Sequence, residues 1–144
     1  MRLDNCKTIW RIANARSVRQ FSQATKPIPW DEHRIWYQAK IQDPQCHFYL
    51  IFSQKSLAGY LRFEKIGRGA CLTSIALSRH FRRQGIAQLA LETGSQRMLR
   101  RKGIKRLTAV IHEQNLPSRT LFERSGFKRR RRKGSWLHYY RTSP

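Results

Sequence analysis

Acidic residues are scarce in this chain. Eight Asp and Glu stand against thirty Lys and Arg, giving a formal net charge of +22. Such a surface draws in anions, without choosing among a coenzyme, a nucleotide-linked substrate and nucleic acid. Cysteine is equally sparse. Cys6, Cys46 and Cys71 are odd in number and far apart, which excludes a Cys-x-x-Cys zinc site and a disulfide framework. No metal site is expected, and Cys71 reads as a small core residue. No apolar run approaches the roughly eighteen residues of a membrane span. The opening residues, Met1 to Cys6, are too polar for a signal peptide. A cytoplasmic protein with no membrane partner is expected.

What is present is enough for one well-buried core. With 144 residues, 40% apolar and 11% aromatic, the chain reads as a single domain over 1–144. Residues 8–19 and 30–41 have helical composition, the second with Asp31 and Glu32 in its first turn and a stop at Asp43-Pro44. Residues 47–52 and 58–64 are apolar runs around a polar turn and predict an antiparallel hairpin. Residues 72–77 predict a strand, followed by a basic turn and a helix in which Ala87, Leu91, Gly94 and Met98 repeat on one face. That helix is expected to close at Lys102-Gly103. Residues 107–112 and 135–141 predict two further strands. The six basic residues at 128–133 read as a charged edge strand, which also blocks edge-to-edge pairing; the alternative is a nucleic-acid patch.

The turn between the 72–77 strand and its helix carries the chemistry. A turn that opens a helix leaves N–H groups unpartnered at the positive end of the dipole. Arg82 and Arg83 add charge, and Gly85 removes the Cβ that would keep a ligand off the backbone. Such a site suits a pyrophosphate. Downstream stand Asn115, then Leu121-Phe122-Glu123, then Gly126-Phe127.

Together the passages resemble the GCN5-related (GNAT) N-acetyltransferases, whose acetyl-CoA loop reads Arg/Gln-x-x-Gly-x-Gly/Ala, here Arg82, Gly85 and Ala87. The resemblance implies an α/β fold: a mixed twisted sheet of six to seven strands with helices on both faces, beginning with a strand and two helices. It implies acetyl-CoA as co-substrate, held by Ile75, Ala76 and Leu77, by Arg82, Arg83, Gln84, Gly85, Ile86 and Ala87 of the turn, and by Asn115 and Phe122. Trp10-Arg11, Asn14, Val18-Arg19, residues 29–33, Trp36, Asp43-Pro44 and Phe48-Tyr49 resemble the branch that acetylates nucleotide-linked amino sugars in pseudaminic acid biosynthesis. The implied acceptor is therefore a small-molecule amine carried on a nucleotide, attacking the thioester directly in a ternary complex. Two rivals stand beside it: acetylation of a protein N-terminus or ribosome-associated substrate, and a non-enzymatic RNA- or acyl-CoA-binding module.

An amine with a pKa near 10.4 needs roughly 4 kcal/mol to lose its proton at neutral pH, so a base is useful. Glu64 is the first candidate, followed by His112 and Glu113, then His33 and His80. Many members of the family place a proton-donating Tyr where this chain has Phe122. Here Tyr139, Tyr140 or water would protonate the leaving thiolate, or it leaves unassisted, being a fair leaving group with a reference pKa near 8.5. Trp30 and His33, with Trp36 and Tyr37, are expected to line an acceptor pocket.

Overall fold

The computed structural model describes residues 3–144; Met1 and Arg2, which contribute to the signal-peptide reading, lie outside them. Helices α1 (Leu3–Asn14), α2 (Arg16–Arg19) and α3 (Trp30–Gln42) come first. The initial strand implied by the resemblance is absent among the described residues. The helix expected over 8–19 is two helices, broken where Ala15 turns extended at ψ 136. Arg19 Nε closes the break by donating to the carbonyl of Ala13 at 2.8 Å.

Strands β1 (Cys46–Ser53) and β2 (Ser56–Gly67) form the expected hairpin. Gln54 and Lys55 both carry positive φ in its two-residue turn, the conformation that matches strand twist. β3 (Ala70–Leu77), α4 (Ile86–Leu99) and β4 (Arg106–His112) form a crossover unit, and α5 (Leu116–Arg124), β5 (Lys128–Lys133) and β6 (Trp136–Thr142) complete the chain. The six strands make one mixed sheet in the order β1-β2-β3-β4-β6-β5, parallel between β3 and β4 and antiparallel elsewhere. The basic run is the edge strand, exposed at all six positions.

Helices cover both faces. Alternation along the strands sends Leu61, Phe63, Cys71, Leu107, Ala109, Ile111, Leu137 and Tyr139 to one side, where Leu91 and Met98 of α4 and Phe122 of α5 meet them. Burying each large side chain stabilises by roughly 2 kcal/mol. On the other side Cys6, Ile9 and Ile12 of α1 and Tyr37 of α3 pack on Phe48, Leu50, Leu57, Tyr60 and Ala76. Gly94 brings α4 close to the sheet: a Cβ there would stand 2.5 Å from Leu61 Cδ2. α4 ends at Leu99, and Gly103 adopts φ 88 in the connection beyond it. Among the described residues no helix is long and apolar enough to cross a membrane.

Two glycines should differ in tolerance. A Cβ on Gly59 would lie 2.1 Å from the Ala76 carbonyl oxygen, which is backbone and cannot swing aside. In urea unfolding Gly59→Ala should lose at least about 2 kcal/mol. At Gly94 the obstruction is the tip of Leu61, and alanine regains roughly 1 kcal/mol of helix propensity, so Gly94→Ala should stay within about 1 kcal/mol of wild type. A neutral Gly59→Ala would contradict the close β2–β3 approach.

Candidate active site

The parallel ladder between β3 and β4 is short. Ala70, Cys71 and Leu72 pair with Arg106, Leu107 and Thr108, and there the register stops. From Thr73 onward β3 has no partner on that side. The direction of its amides follows from two bonds: Thr108 Oγ1 donates to the Cys71 carbonyl at 3.4 Å, and Arg82 Nη2 to the Leu77 carbonyl at 3.1 Å. Odd-numbered residues of β3 thus turn their N–H and C=O groups toward β4. Thr73 and Ile75 present both groups to the gap, while Leu77 presents its N–H, its carbonyl being taken by Arg82. Ala76 turns its main chain the other way, to Tyr60 of β2. Unpaired backbone groups need water or an extended ligand.

At the open end of this gap lies the turn. Gly85 caps α4 at φ 77, with no side-chain cap bond, so the N–H groups of Ile86, Ala87 and Gln88 lack intrahelical partners. Nothing lies within 4 Å of a Cβ built on Gly85: the space above the turn is open. Arg83 holds φ 61 beside it and is exposed. Gln84 folds back, its Nε2 donating to the His80 carbonyl at 3.0 Å. Arg82 Nη2 also donates to Ser17 Oγ at 3.0 Å, tying the turn to α2. Together these provide an extended backbone edge leading to a cationic cluster of free amides, the complement of a pantetheine arm ending in a diphosphate.

The structure gathers Ile75, Leu77, Arg82, Arg83, Gly85, Ile86 and Ala87 at this end. Asn115, just beyond β4, is at the same end; its Oδ1 accepts from the Ser118 N–H at 3.3 Å as the cap of α5. Phe122 is elsewhere, in the core at 3% exposure, edge-on to Phe127 at 4.9 Å. The Phe127 N–H donates to the Phe122 carbonyl and the Gly126 N–H to the Glu123 carbonyl, with Gly126 at φ 84. This is a helix stop with its hydrophobic contact, so Phe122, Gly126 and Phe127 form one structural unit. Tyr139 is 1% exposed and donates to Glu123 Oε1 at 2.8 Å; burial, with that bond to Glu123, pushes its pKa up.

Glu64 lies opposite Leu72, three residues from the register level of Ile75, about 10 Å along the strand. Its carboxylate accepts from Lys40 and lies 3.9 Å from Arg62 Nε. His33 is 2% exposed, packed among Trp30, Trp36 and Tyr37 with its Nε2 unpartnered. Burial lowers its pKa. Trp30 stands edge-on to Trp10 at 5.3 Å. His33 and Tyr37 are buried in the second core, with Trp30 and Trp36 packed half-buried against it, and the structure brings neither His33 nor Trp30 to the gap. His112 does reach the mouth, between Phe21 at 5.7 Å and Trp136 at 5.1 Å, its Nδ1 accepting from the Gln114 N–H. Glu113 is ion-paired with Arg132. All three thiols are buried and free, and burial raises their pKa values.

Sequence reading missed Ser17 and Phe21, both on the short α2 segment and its exit, which meet the turn and the mouth. Lone residues in a polar loop give no periodic signal. It also missed the clamp that closes α1 on the loop before α3: Asn14 both donates to and accepts from the backbone of Ile28, and Trp10 Nε1 donates to the same carbonyl at 2.7 Å.

A family profile described as acetyltransferase (GNAT) matches residues 15–127. The chain belongs to the GNAT acetyltransferase family. Acetyl-CoA is accordingly the co-substrate of this N-acetyltransferase, and the residues around the gap and turn fit it. A Bacillus subtilis protein assigned provisionally as a ribosomal protein bS18-alanine N-acetyltransferase is 20% identical over 118 residues, 82% of this chain and 77% of its own. Among solved structures, the spermidine N-acetyltransferase of Vibrio cholerae in complex with CoA and spermine superposes with a TM-score of 0.85 at 15% identity, covering 99% of this chain and 92% of that one. The Campylobacter jejuni N-acetyltransferase PseH in complex with acetyl coenzyme A gives 0.77 at 15% identity, covering 100% and 94%. At such identities the likeness is one of fold, and the acceptors of these proteins differ.

Gly85→Glu should lower the melting temperature of this acetyltransferase by only a few degrees, since the side chain enters open space and a left-handed non-glycine residue costs about 1 kcal/mol. It should weaken coenzyme A uptake in calorimetry by at least roughly tenfold, by placing a carboxylate where the diphosphate is expected and straining a left-handed residue. Unchanged affinity would remove the turn from the binding site.

His33 supplies a pH test. Its pKa lies below the ordinary 6.5 because it is buried neutral, as are those of His47 and His138 by burial and nearby arginine charge. Below about 6.5 the unfolded chain binds protons that the folded one refuses, so stability is complete above that value and is lost as pH falls through it. Urea midpoints should drop between about pH 7 and 5, less steeply in His33→Gln; identical slopes would show that His33 contributes nothing.

Proposed function

We propose that this acetyltransferase transfers the acetyl group of acetyl-CoA to the primary amine of a nucleotide-linked amino sugar, by direct attack while both substrates are bound. The observation that favours an anionic acceptor over a polyamine is the charge of +22. A field of that sign accelerates encounter with an amine carried on a diphosphate and repels a polyamine.

The disposition of carboxylates supports it. Glu64 is held by Lys40 and Arg62, and Glu113 by Arg132, so the carboxylates among the candidate bases are already engaged by cations. A site of this kind favours an amine that sheds its proton near neutral pH. An ε-ammonium with a pKa near 10.4 is a poor match, whereas an amine lowered by neighbouring ring oxygens, or an α-amine near 8, loses its proton at a cost of roughly 1–2 kcal/mol. The departing thiolate, with a reference pKa near 8.5, is a weaker base than the phenolate of Tyr139, whose pKa is raised by burial. Proton donation from Tyr139 is therefore uphill. In this reading the backbone does most of the chemistry: Ile75 and Leu77 orient the donor, an N–H of the β3 edge faces the thioester oxygen as charge gathers there, and the turn holds the diphosphate.

A second reading rests on the Bacillus subtilis relative. A protein N-terminal amine also titrates near 8, and a ribosomal substrate is embedded in polyanion.

An acceptor panel followed by free-thiol release and product mass spectrometry separates these. A UDP-linked amino sugar should exceed an N-terminal alanine peptide, and both should far exceed spermidine, in kcat/KM; spermidine as the best acceptor would overturn the charge argument. Glu64→Gln and Tyr139→Phe should each keep kcat within about threefold of wild type, while Tyr139→Phe loses about 1 kcal/mol of stability with its hydrogen bond. A loss of a hundredfold or more in kcat, the scale of a general acid or base, would restore that residue to the chemistry.

A further inference from the structure

The two halves of the sheet are covered unequally. On the face where α1 and α3 pack, their contacts reach β1, β2 and β3. The β4–β6–β5 half of that face is lined differently. Direct register neighbours share a face: Lys128 with Tyr140, Arg131 with His138, Lys133 with Trp136, and across β4 Thr108 with Tyr140 and Val110 with His138. Their alternates, Leu137 and Tyr139, are buried on the opposite side, whereas Trp136, His138 and Tyr140 remain partly exposed. Three rings therefore stand in file along β6, about 7 Å apart, with the basic edge strand on one flank. A break in register at Arg130 sets that residue, with Arg106, Tyr140 and Thr142, around an open hollow of about 290 Å³. Arg106 lines this hollow, while its Nε is itself buried. No Asp or Glu occupies any of these register positions.

We propose that this uncovered half-face, with Trp136, His138 and Tyr140 in file and Arg106, Arg130 and Arg131 beside them, binds single-stranded RNA. The proposal is independent of which acceptor the enzyme uses. Ring faces at regular spacing stack unpaired bases in any sequence, and flanking cations follow the backbone. Burial and the adjacent Arg131 and Lys133 charges lower the pKa of His138. Protection of an edge strand needs the charges of β5 and gives no reason for a row of accessible rings on β6 or for the exclusion of carboxylates. A duplex offers no free base faces to such a row. A lipid surface is a poorer match as well, since the large exposed apolar side chains Ile35, Phe52, Ile66, Leu89 and Leu116 all lie on other elements.

The test is fluorescence anisotropy with a labelled oligouridylate of about twelve nucleotides, without acetyl-CoA. Binding should weaken with salt at a log–log slope of about −0.7 per phosphate neutralised. Tyr140→Ala should bind about tenfold more weakly, and Tyr140→Phe, which keeps the ring, within roughly twofold of wild type. The double variant Arg130→Glu/Arg131→Glu, whose side chains face solvent, should lose at least about tenfold while melting and coenzyme A uptake stay unchanged. An equal change of charge on the α4 side, Arg97→Glu/Arg100→Glu, should have a far smaller effect. The proposal is overturned if that control weakens binding as much as the β5 double variant, or if a duplex of equal length binds as tightly. It is likewise overturned if Tyr140→Phe loses as much as Tyr140→Ala, or if phosphatidylserine vesicles capture the protein and the oligonucleotide does not bind.

Discussion

The parting of β3 from β4 after three residue pairs is the constraint on which the rest of the site depends. A parallel pair is the weaker kind of ladder, and ending it early leaves the amides of Thr73 and Ile75 on an open edge. A backbone group left dry and unpaired costs about 1–3 kcal/mol, so such an edge persists where water reaches it or a ligand replaces the missing strand. The candidate donor site is thus built largely from main chain. Side chains enter chiefly where the edge ends: Arg82 occupies the Leu77 carbonyl and reaches Ser17, and Gly85 leaves the helix amides uncovered.

The scarcity of acid has a structural counterpart. Asp4, Asp31 and Glu32 lie in the first turns of α1 and α3. Asp43 accepts from the Gln45 N–H after α3, Glu64 and Glu113 are in ion pairs, Glu92 accepts from Gln88, and Glu123 holds Tyr139. Each of the eight carboxylates has a local role in the fold. Thirty cations consequently go largely uncompensated, and the two carboxylates among the candidate bases, Glu64 and Glu113, are both engaged by cations.

Much of this was legible in sequence where local rules dominate. Apolar runs and turn residues located five strands of the sheet and the basic run at 128–133 the sixth, the polar turn at residues 53–56 placed the hairpin, and Gly85 marked the helix start because a left-handed cap with nothing above it favours glycine. The roll of candidate side chains was less legible. Phe122 and Gly126-Phe127 occur in a motif whose neighbours hold a cofactor, yet here they close α5 through a contact between two rings. His33 and Trp30 read as pocket lining because an aromatic stripe on a helix looks alike from either side. Its true surroundings depend on α1 folding back, and that is set by the Asn14–Ile28 clamp, a pairing across fourteen residues that no local pattern announces. Glu64 looked available because Lys40 lies twenty-four residues away.

Strand β4 joins the two surfaces this fold leaves open. One of its edges faces the gap beside β3, and its other edge pairs fully with β6. His112, its last residue, contacts Phe21 from the α2 side and Trp136 from the ring row, so the mouth of the donor site and the end of the basic face share one side chain. An anion lying along β6 would lower the positive potential at that mouth within the roughly 8–10 Å over which salt leaves fields unscreened. It would also raise the local concentration of whatever amine it carried. An occupant of the uncovered face would therefore act on the gap through electrostatics and tethering, with no movement of the sheet required.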